Sequence, residues 1–192
     1  YNQYVGGTQA AVLAAGAGII VLQNTNTVIE SNVIYNCRNG ISIGNGPTDI
    51  CVVRGNTVSN TLDSGINVLP QGTNVLVQNN VVQNTNIGLF VNTTSTAGYA
   101  ENYNSVSNCV TLKANGTASV PTPTTLDGTD ITATNQLSSD LLPQSTSPLI
   151  GAGVISSNKQ DVASRQRKIP PTIGAYEYIQ PRVMATIRNV RA

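Results

Sequence analysis

The chain has no histidine and no tryptophan, and only one phenylalanine and one methionine. Without imidazole it lacks the commonest general base and the commonest metal ligand. Charge is scarce as well: Asp, Glu, Lys and Arg make up 10% of the 192 residues and net to +1. That balance leaves no electrostatic footprint for nucleic acid or an anionic membrane. No apolar run is long enough to span a bilayer. The most apolar stretch, Ala10 to Leu22, is broken by Gly16 and Gly18 and lacks the basic start and cleavage pattern of a signal peptide. Three cysteines cannot all pair, and nothing around them suggests a base or a ligand set. We expect Cys37, Cys51 and Cys109 to be free, buried fillers, and we expect no cofactor and no metal.

What the chain does have is a period. Asn32, Asn56, Asn80 and Asn104 recur at one constant interval, and Asn36, Asn60, Asn84 and Asn108 keep the same interval one helical-turn's length of sequence later. Between them runs an apolar ladder of Ile34, Val58, Val82 and Val106. A fixed repeat of this size marks a solenoid, in which each repeat is one coil stacked on the next. An asparagine suits a tight turn because it tolerates left-handed backbone angles. Its amide can also bond the equivalent amide one coil away. These eight asparagines therefore read as structure, not chemistry. The period also separates Cys37 from Cys109 by three coils, about 14 Å, beyond disulfide reach.

Each coil carries further strand signals. One begins with glycine, at Gly18, Gly40, Gly65 and Gly88; another runs through Val28–Ile29, Cys51–Val53 and Val75–Val77. Alternation along these strands predicts inward ladders Ile19/Ile41/Ile66/Leu89, Val21/Ile43/Val68/Val91 and Ile29/Val53/Val77. The glycine interval is uneven, longest between Gly40 and Gly65, while the asparagine interval is constant, so length varies in turns flanking the glycine strand. Insertions on one face of a repeat scaffold often mark a binding face. In the fourth coil strict register would bury Tyr99 and Glu101. An unpaired buried carboxylate is costly, so the register is expected to shift there. The repeat fades after Gly116. The chain divides into coils over 1–118, coil remnants and a cap over 119–178, and a tail or docking arm over 179–192.

The coils over roughly residues 15–115 resemble the right-handed parallel β-helix superfamily, the pectate-lyase-like group that includes phage tailspikes. The segment Ser147-Pro148-Leu149-Ile150-Gly151-Ala152-Gly153, then Asp161, Arg167 and Ile173-Gly174-Ala175-Tyr176-Glu177-Tyr178, resembles the ending of secreted bacterial β-helix proteins. Gly151, Ala163, Ser164 and Thr172 depart from that pattern, which weakens any cation role there. The resemblance implies an all-β parallel β-helix of about five coils. It also implies a terminal cap, with Asp161, Arg167, Tyr176 and Glu177 in it and an Asp161–Arg167 contact.

Enzymes of that group set carboxylates and a basic residue on adjacent coils, and glycosidases pair two carboxylates. Here no two acids stand together in the repeat sequence. Glu30 and Arg54, one full repeat apart, should meet on adjacent coils, with the weak energetics of a surface ion pair. Phe90, Asn92, Tyr99 and Tyr103 surround the longest turn and are candidates, with Glu30 and Arg54, for contact with a polysaccharide. We therefore expect a noncatalytic rod-like module, extracellular or on a cell or virion surface, with glycan- or partner-binding turns. Other subunits or upstream coils would cover its N-terminal end. The alternative is the C-terminal part of a polysaccharide lyase or hydrolase whose active coils lie upstream.

Overall fold

The computed structural model describes residues 3–5, 16–44, 48–93, 97–117, 119–157 and 159–180. The tail expected at 179–192 lies outside them from Pro181 onward, as does most of Tyr1–Ala15. The strands are β1 (Gln3–Val5), β2 (Ala17–Val21), β3 (Thr25–Glu30), β4 (Val33–Tyr35), β5 (Asn39–Ile43), β6 (Thr48–Arg54) and β7 (Thr57–Val68). They continue with β8 (Gly72–Gln78), β9 (Val81–Asn92), β10 (Ala100–Asn102), β11 (Ser105–Ser107), β12 (Thr111–Thr117) and β13 (Val120–Pro123). One sheet follows the order β1-β2-β5-β7-β9-β12-β13, with β4 joined to β7 and β11 to β9. A second follows β10-β8-β6-β3. Every pairing among these strands is parallel except β12 with β13. The molecule is an all-β solenoid of about four turns.

The expected ladders are in register. Ile19, Ile41, Ile66 and Leu89 align, as do Val21, Ile43, Val68 and Val91, and Ile29, Val53 and Val77. Together with Ile34, Val58, Val82 and Val106 they form one buried core along the stack. Cys51 lies fully enclosed in it, while Cys37 and Cys109 are half-buried at its edge; all three are free thiols. The glycines that open the sheet strands permit a close approach. A Cβ on Gly40 would stand 2.3 Å from Val58 Cγ1, one on Gly65 2.2 Å from Val82 Cγ1, and one on Gly88 2.3 Å from Val106 Cγ1. The glycine strand and the asparagine corner of each turn thus close against one another across the core.

The two asparagine sets divide the work expected of each. Asn36, Asn60, Asn84 and Asn108 are left-handed, with φ of 56°, 55°, 55° and 52°, and turn the corner. Asn32, Asn56, Asn80 and Asn104 form the amide ladder, and the left-handed residue beside each is the preceding one: Ser31, Gly55, Asn79 or Tyr103. Asn32, Asn56 and Asn80 each donate their backbone N–H and Nδ2 to Oδ1 of the next asparagine, all at 3.0 Å. The Nδ2 of Asn56, Asn80 and Asn104 also reaches the carbonyls of Ile29, Val53 and Val77 at 2.8–2.9 Å. Asp130, slightly more than one repeat past Asn104, ends the ladder. Its Oδ1 accepts the Asn104 N–H at 2.7 Å and Nδ2 at 3.3 Å.

Two expectations need correction. The fourth turn does not slip: Glu101 pairs in register with Val77 and is buried. Its cost is offset locally, because Oε1 accepts from Lys113 Nζ at 2.8 Å and from the Asp127 N–H at 3.2 Å. Nor does the segment from Ser147 to Tyr178 lie as a lid over the last turn. That end is covered by β13 and by Asp127–Ile131. The chain from Asn135 to Tyr178 runs back along the asparagine corner as a lateral strap. It meets the fourth turn at Ser105 through Asn135 and the third through Leu149 and Ile173 on Val81. It meets the second where Ala175 N–H donates to Thr57 Oγ1 at 2.9 Å, and the first where Ser31 Oγ donates to the Gln160 carbonyl at 3.1 Å. Outward residues Thr57, Val81 and Ser105 of that corner are small or apolar and buried, which gives the strap its seat.

Candidate functional site

A groove of about 520 Å³ crosses β5, β7 and β9. Its rim carries Arg38 and Asp63, its polar lining Asn39, Ser64 and Asn67, and Phe90 lies against it. Asp63 reaches this place through a bulge. In the β7–β9 pairing Thr61 faces Thr85 and Ser64 faces Ile87, so β7 holds one extra residue. Bulges re-aim side chains and bend the strand locally. Asp63 Oδ2 there accepts a hydrogen bond from Arg38 Nε at 2.5 Å. Both side chains are about half exposed, so the pair orders the rim more than it stabilises the fold. Asn67, one column along on β7, is 9% exposed, and its Oδ1 is enclosed without a hydrogen-bond partner. A buried amide oxygen left unpaired costs about 1–3 kcal/mol.

The candidates read from the sequence are not gathered here. Phe90 lines the groove but is 4% exposed, too enclosed to offer its ring face. Asn92 is buried at the end of β9. Tyr99 donates its hydroxyl to Glu101 at 2.5 Å, and its ring lies 5.6 Å from Lys113 Nζ. Burial first, then the Glu101 charge, pushes its phenol up, which removes it as a base. Tyr103 is half-buried, and its backbone N–H donates to Thr129 Oγ1 at 3.1 Å. Glu30 and Arg54 meet on adjacent turns at 2.6 Å as expected, and Arg54 also donates to Ser157 of the strap at 2.5 Å.

Asp161 is buried in the strap, but its ionic partner is Arg165 at 2.6 Å, not Arg167. Burial alone would raise its carboxyl. The backbone N–H groups of Glu177 and Arg165 and the Arg165 guanidinium hold it below its ordinary value. Arg165 wins because Asp161 closes a tight loop whose backbone, at Ala163 and Arg165, already donates to it at 2.9 and 2.8 Å. Arg167 instead donates to the carbonyls of Thr172 and Gly174 at 3.1 and 2.8 Å. Glu177 accepts from Thr172 N–H and Oγ1 at 3.0 and 2.6 Å, and Tyr176 lies 5.6 Å under Arg165.

The last turn brings together acids that look scattered in the sequence: Glu101, Asp127 and Asp130, beside Lys113 and Tyr99. Glu101 is saturated by its three donors, Tyr99, Lys113 and the Asp127 N–H, so this cluster holds the turn closed. The groove is an open polar surface on the sheet, and sequence reasoning missed Arg38, Asp63, Ser64 and Asn67. The usable signal was the long glycine interval between Gly40 and Gly65, which marks the bulge. All nine carboxylates of the chain lie among the described residues, and Asp63 is the one that lines the groove.

The thiols are poor donors for any ion. Burial pushes Cys51 up to about 12 and raises Cys37 and Cys109 too. Cys37 and Cys109 Sγ donate to the carbonyls of Tyr35 and Ser107 at 3.3 and 3.2 Å. No group of three His, Cys, Asp or Glu that could hold a metal occurs among the described residues.

Residues 8–163 match the family model described as "Periplasmic copper-binding protein (NosD)". No curated protein and no solved structure matches the chain. The match gives no support to a virion surface or a tailspike form.

Proposed function

We propose, since the chain belongs to the NosD family of parallel β-helix proteins, that it is a noncatalytic solenoid module which holds a polysaccharide in the groove over β5, β7 and β9. A periplasmic family is consistent with a cell-envelope or extracellular location, where such ligands occur. The observation that carries the reading is Asn67, a nearly buried amide with an unmet acceptor in the wall of a polar groove. Rotation of that amide about its last torsion would present the oxygen to a sugar hydroxyl. Asn39, Ser64 and the Arg38–Asp63 pair supply further neutral and charged partners. One carboxylate, itself tied to an arginine, does not make the acid–base pair that glycoside hydrolysis requires.

The copper of the family's description does not fit the donors of this chain. Copper takes thiolate or thioether ligands as Cu(I) and nitrogen with oxygen donors, imidazole above all, as Cu(II), and no group of three His, Cys, Asp or Glu gathers among the described residues. There is no histidine, the single methionine (Met184) lies outside the described residues, and the three thiols are protonated, hydrogen-bonded or enclosed on separate turns. Metal chemistry therefore enters no part of the proposed role.

Titration of the protein with acidic and neutral oligosaccharides, followed by amide NMR, tests the groove. Shifts should localise to β5, β7 and β9. Asn67→Ala should weaken binding by about 5- to 10-fold, the worth of one hydrogen bond, while leaving the free protein as stable as before or more so. A purely structural Asn67 would lose stability without changing affinity. Release of shortened oligosaccharide, or no response in the groove to any saccharide, would sink the reading.

A further inference from the structure

We propose that the strap carries a separate oxyanion site, formed by Lys159, Arg167 and Lys168 around one cavity of about 240 Å³. Its ligand is a small group bearing a carboxylate or phosphate. The inference stands apart from the groove over β5, β7 and β9 and does not depend on it.

The chain has nine carboxylates, and the four ion pairs of the described residues use Arg38, Arg54, Lys113 and Arg165. Among the described residues Lys159, Arg167 and Lys168 are left without a carboxylate paired to them, and all three line the same cavity. Asp161, Glu177 and Glu30 act on Arg167 through space. None of them pairs with it, for each is already engaged, by Arg165, Thr172 and Arg54 respectively.

Arg167 is the most enclosed of the three cations. Its two terminal nitrogens bond the carbonyls of Thr172 and Gly174, while Nε is enclosed with no acceptor. The carboxylates of Glu177, Asp161 and Glu30 offset the guanidinium charge only through space, so its hydrogen-bonding capacity at Nε is left unmet. Lys168 is held nearby, its Nζ 5.5 Å from the Tyr178 ring centroid. Ile155 and Ile169 supply an apolar wall. A cavity of this size is below the usual range for drug-sized ligands and suits one sugar ring or one headgroup. The charged end would face the cations and the ring would lie on the isoleucines.

Calorimetry on the intact protein, with inorganic phosphate in one arm and monomeric galacturonate in the other, decides it. At low ionic strength at least one anion should bind with a Kd of roughly 0.1–1 mM, and affinity should fall as salt screens the exposed lysines. The Lys159→Ala/Lys168→Ala double variant should lose about 10-fold or more in affinity with Tm unchanged, since both side chains are exposed. Binding should persist in Asp63→Ala, which separates this site from the groove. Preference for phosphate assigns a phosphorylated ligand, and preference for galacturonate a sugar acid. No binding below about 10 mM in either arm, or equal affinity in the double variant, overturns the proposal.

Discussion

Asp130 occupies the place a fifth ladder asparagine would take, and it takes only half of that role. Its Oδ1 accepts from Asn104, but Oδ2 is enclosed without a partner. In the preceding turns the nitrogen at that place donates to Ile29, Val53 and Val77, and strand register puts the Glu101 carbonyl next in the column. Two oxygens facing each other repel unless one carries a proton. Burial, opposed by the Asn104 N–H and reinforced by the charges of Glu101 and Asp127, raises this carboxyl to about 6. Lys113 and Tyr99 complete its charged and titratable surroundings. A folded-state value above the unfolded one means that the folded state binds the extra proton. Stability at this site is therefore full below about pH 4 and falls as pH rises towards 6. Asp130→Asn should add about 1 kcal/mol at pH 7, the worth of one hydrogen bond, or roughly 2–4 °C in Tm. The gain should vanish at pH 4; a pH-independent difference in thermal melts would refute the account. The asparagine ladder was legible because identical residues recur at one interval. Its terminus was not, since it changes residue type and falls late in the period. Similarly, the chain places Arg165 and Arg167 both near Asp161, and only the folded loop selects between them.

At the scale of elements, the glycine column explains why the strands are spaced as they are. Gly65→Ala would drive a Cβ to 2.2 Å from Val82 Cγ1 and 2.8 Å from the Gly88 carbonyl. Overpacking of this kind costs about 1–3 kcal/mol. Adding Val82→Ala should restore part of the loss, because the side-chain clash goes and the carbonyl contact stays. Additive losses in a double-mutant cycle, measured by urea unfolding, would show that the two columns do not touch. Strand order and inward faces could be read from the sequence because a period-2 pattern was repeated at a nearly constant offset. The bulge in β7 and the in-register burial of Glu101 could not. The first depends on where one surplus residue is absorbed, and the second on Lys113 and Asp127 arriving from later in the chain.

For the whole molecule, the fold is a stack of near-identical turns bound along one corner by a strap that touches four of them in succession. Both proposed sites lie where the repeat does not dictate the structure: at the bulge and its groove, and on the strap. Cuprous and cupric ions should show no binding tighter than about 10 µM to a fragment spanning residues 16–180, by competition with a chromogenic chelator. A tight, thiol-dependent complex would overturn the reading of the three cysteines. The ladder by itself sets no limit on length, because another turn of the same size would repeat the same bonds. The strap does set one. Its contacts at Ser31, Thr57, Val81 and Ser105 fall on successive turns, so it works as a ruler laid against the stack. Duplicating residues 57–80 would lengthen the solenoid by one strand spacing, about 4.8 Å, and leave the ruler short. The expected result is an intact core with a strap newly open to limited proteolysis between Val154 and Arg167. The described turns that the strap spans are thus counted by a segment that does not itself repeat.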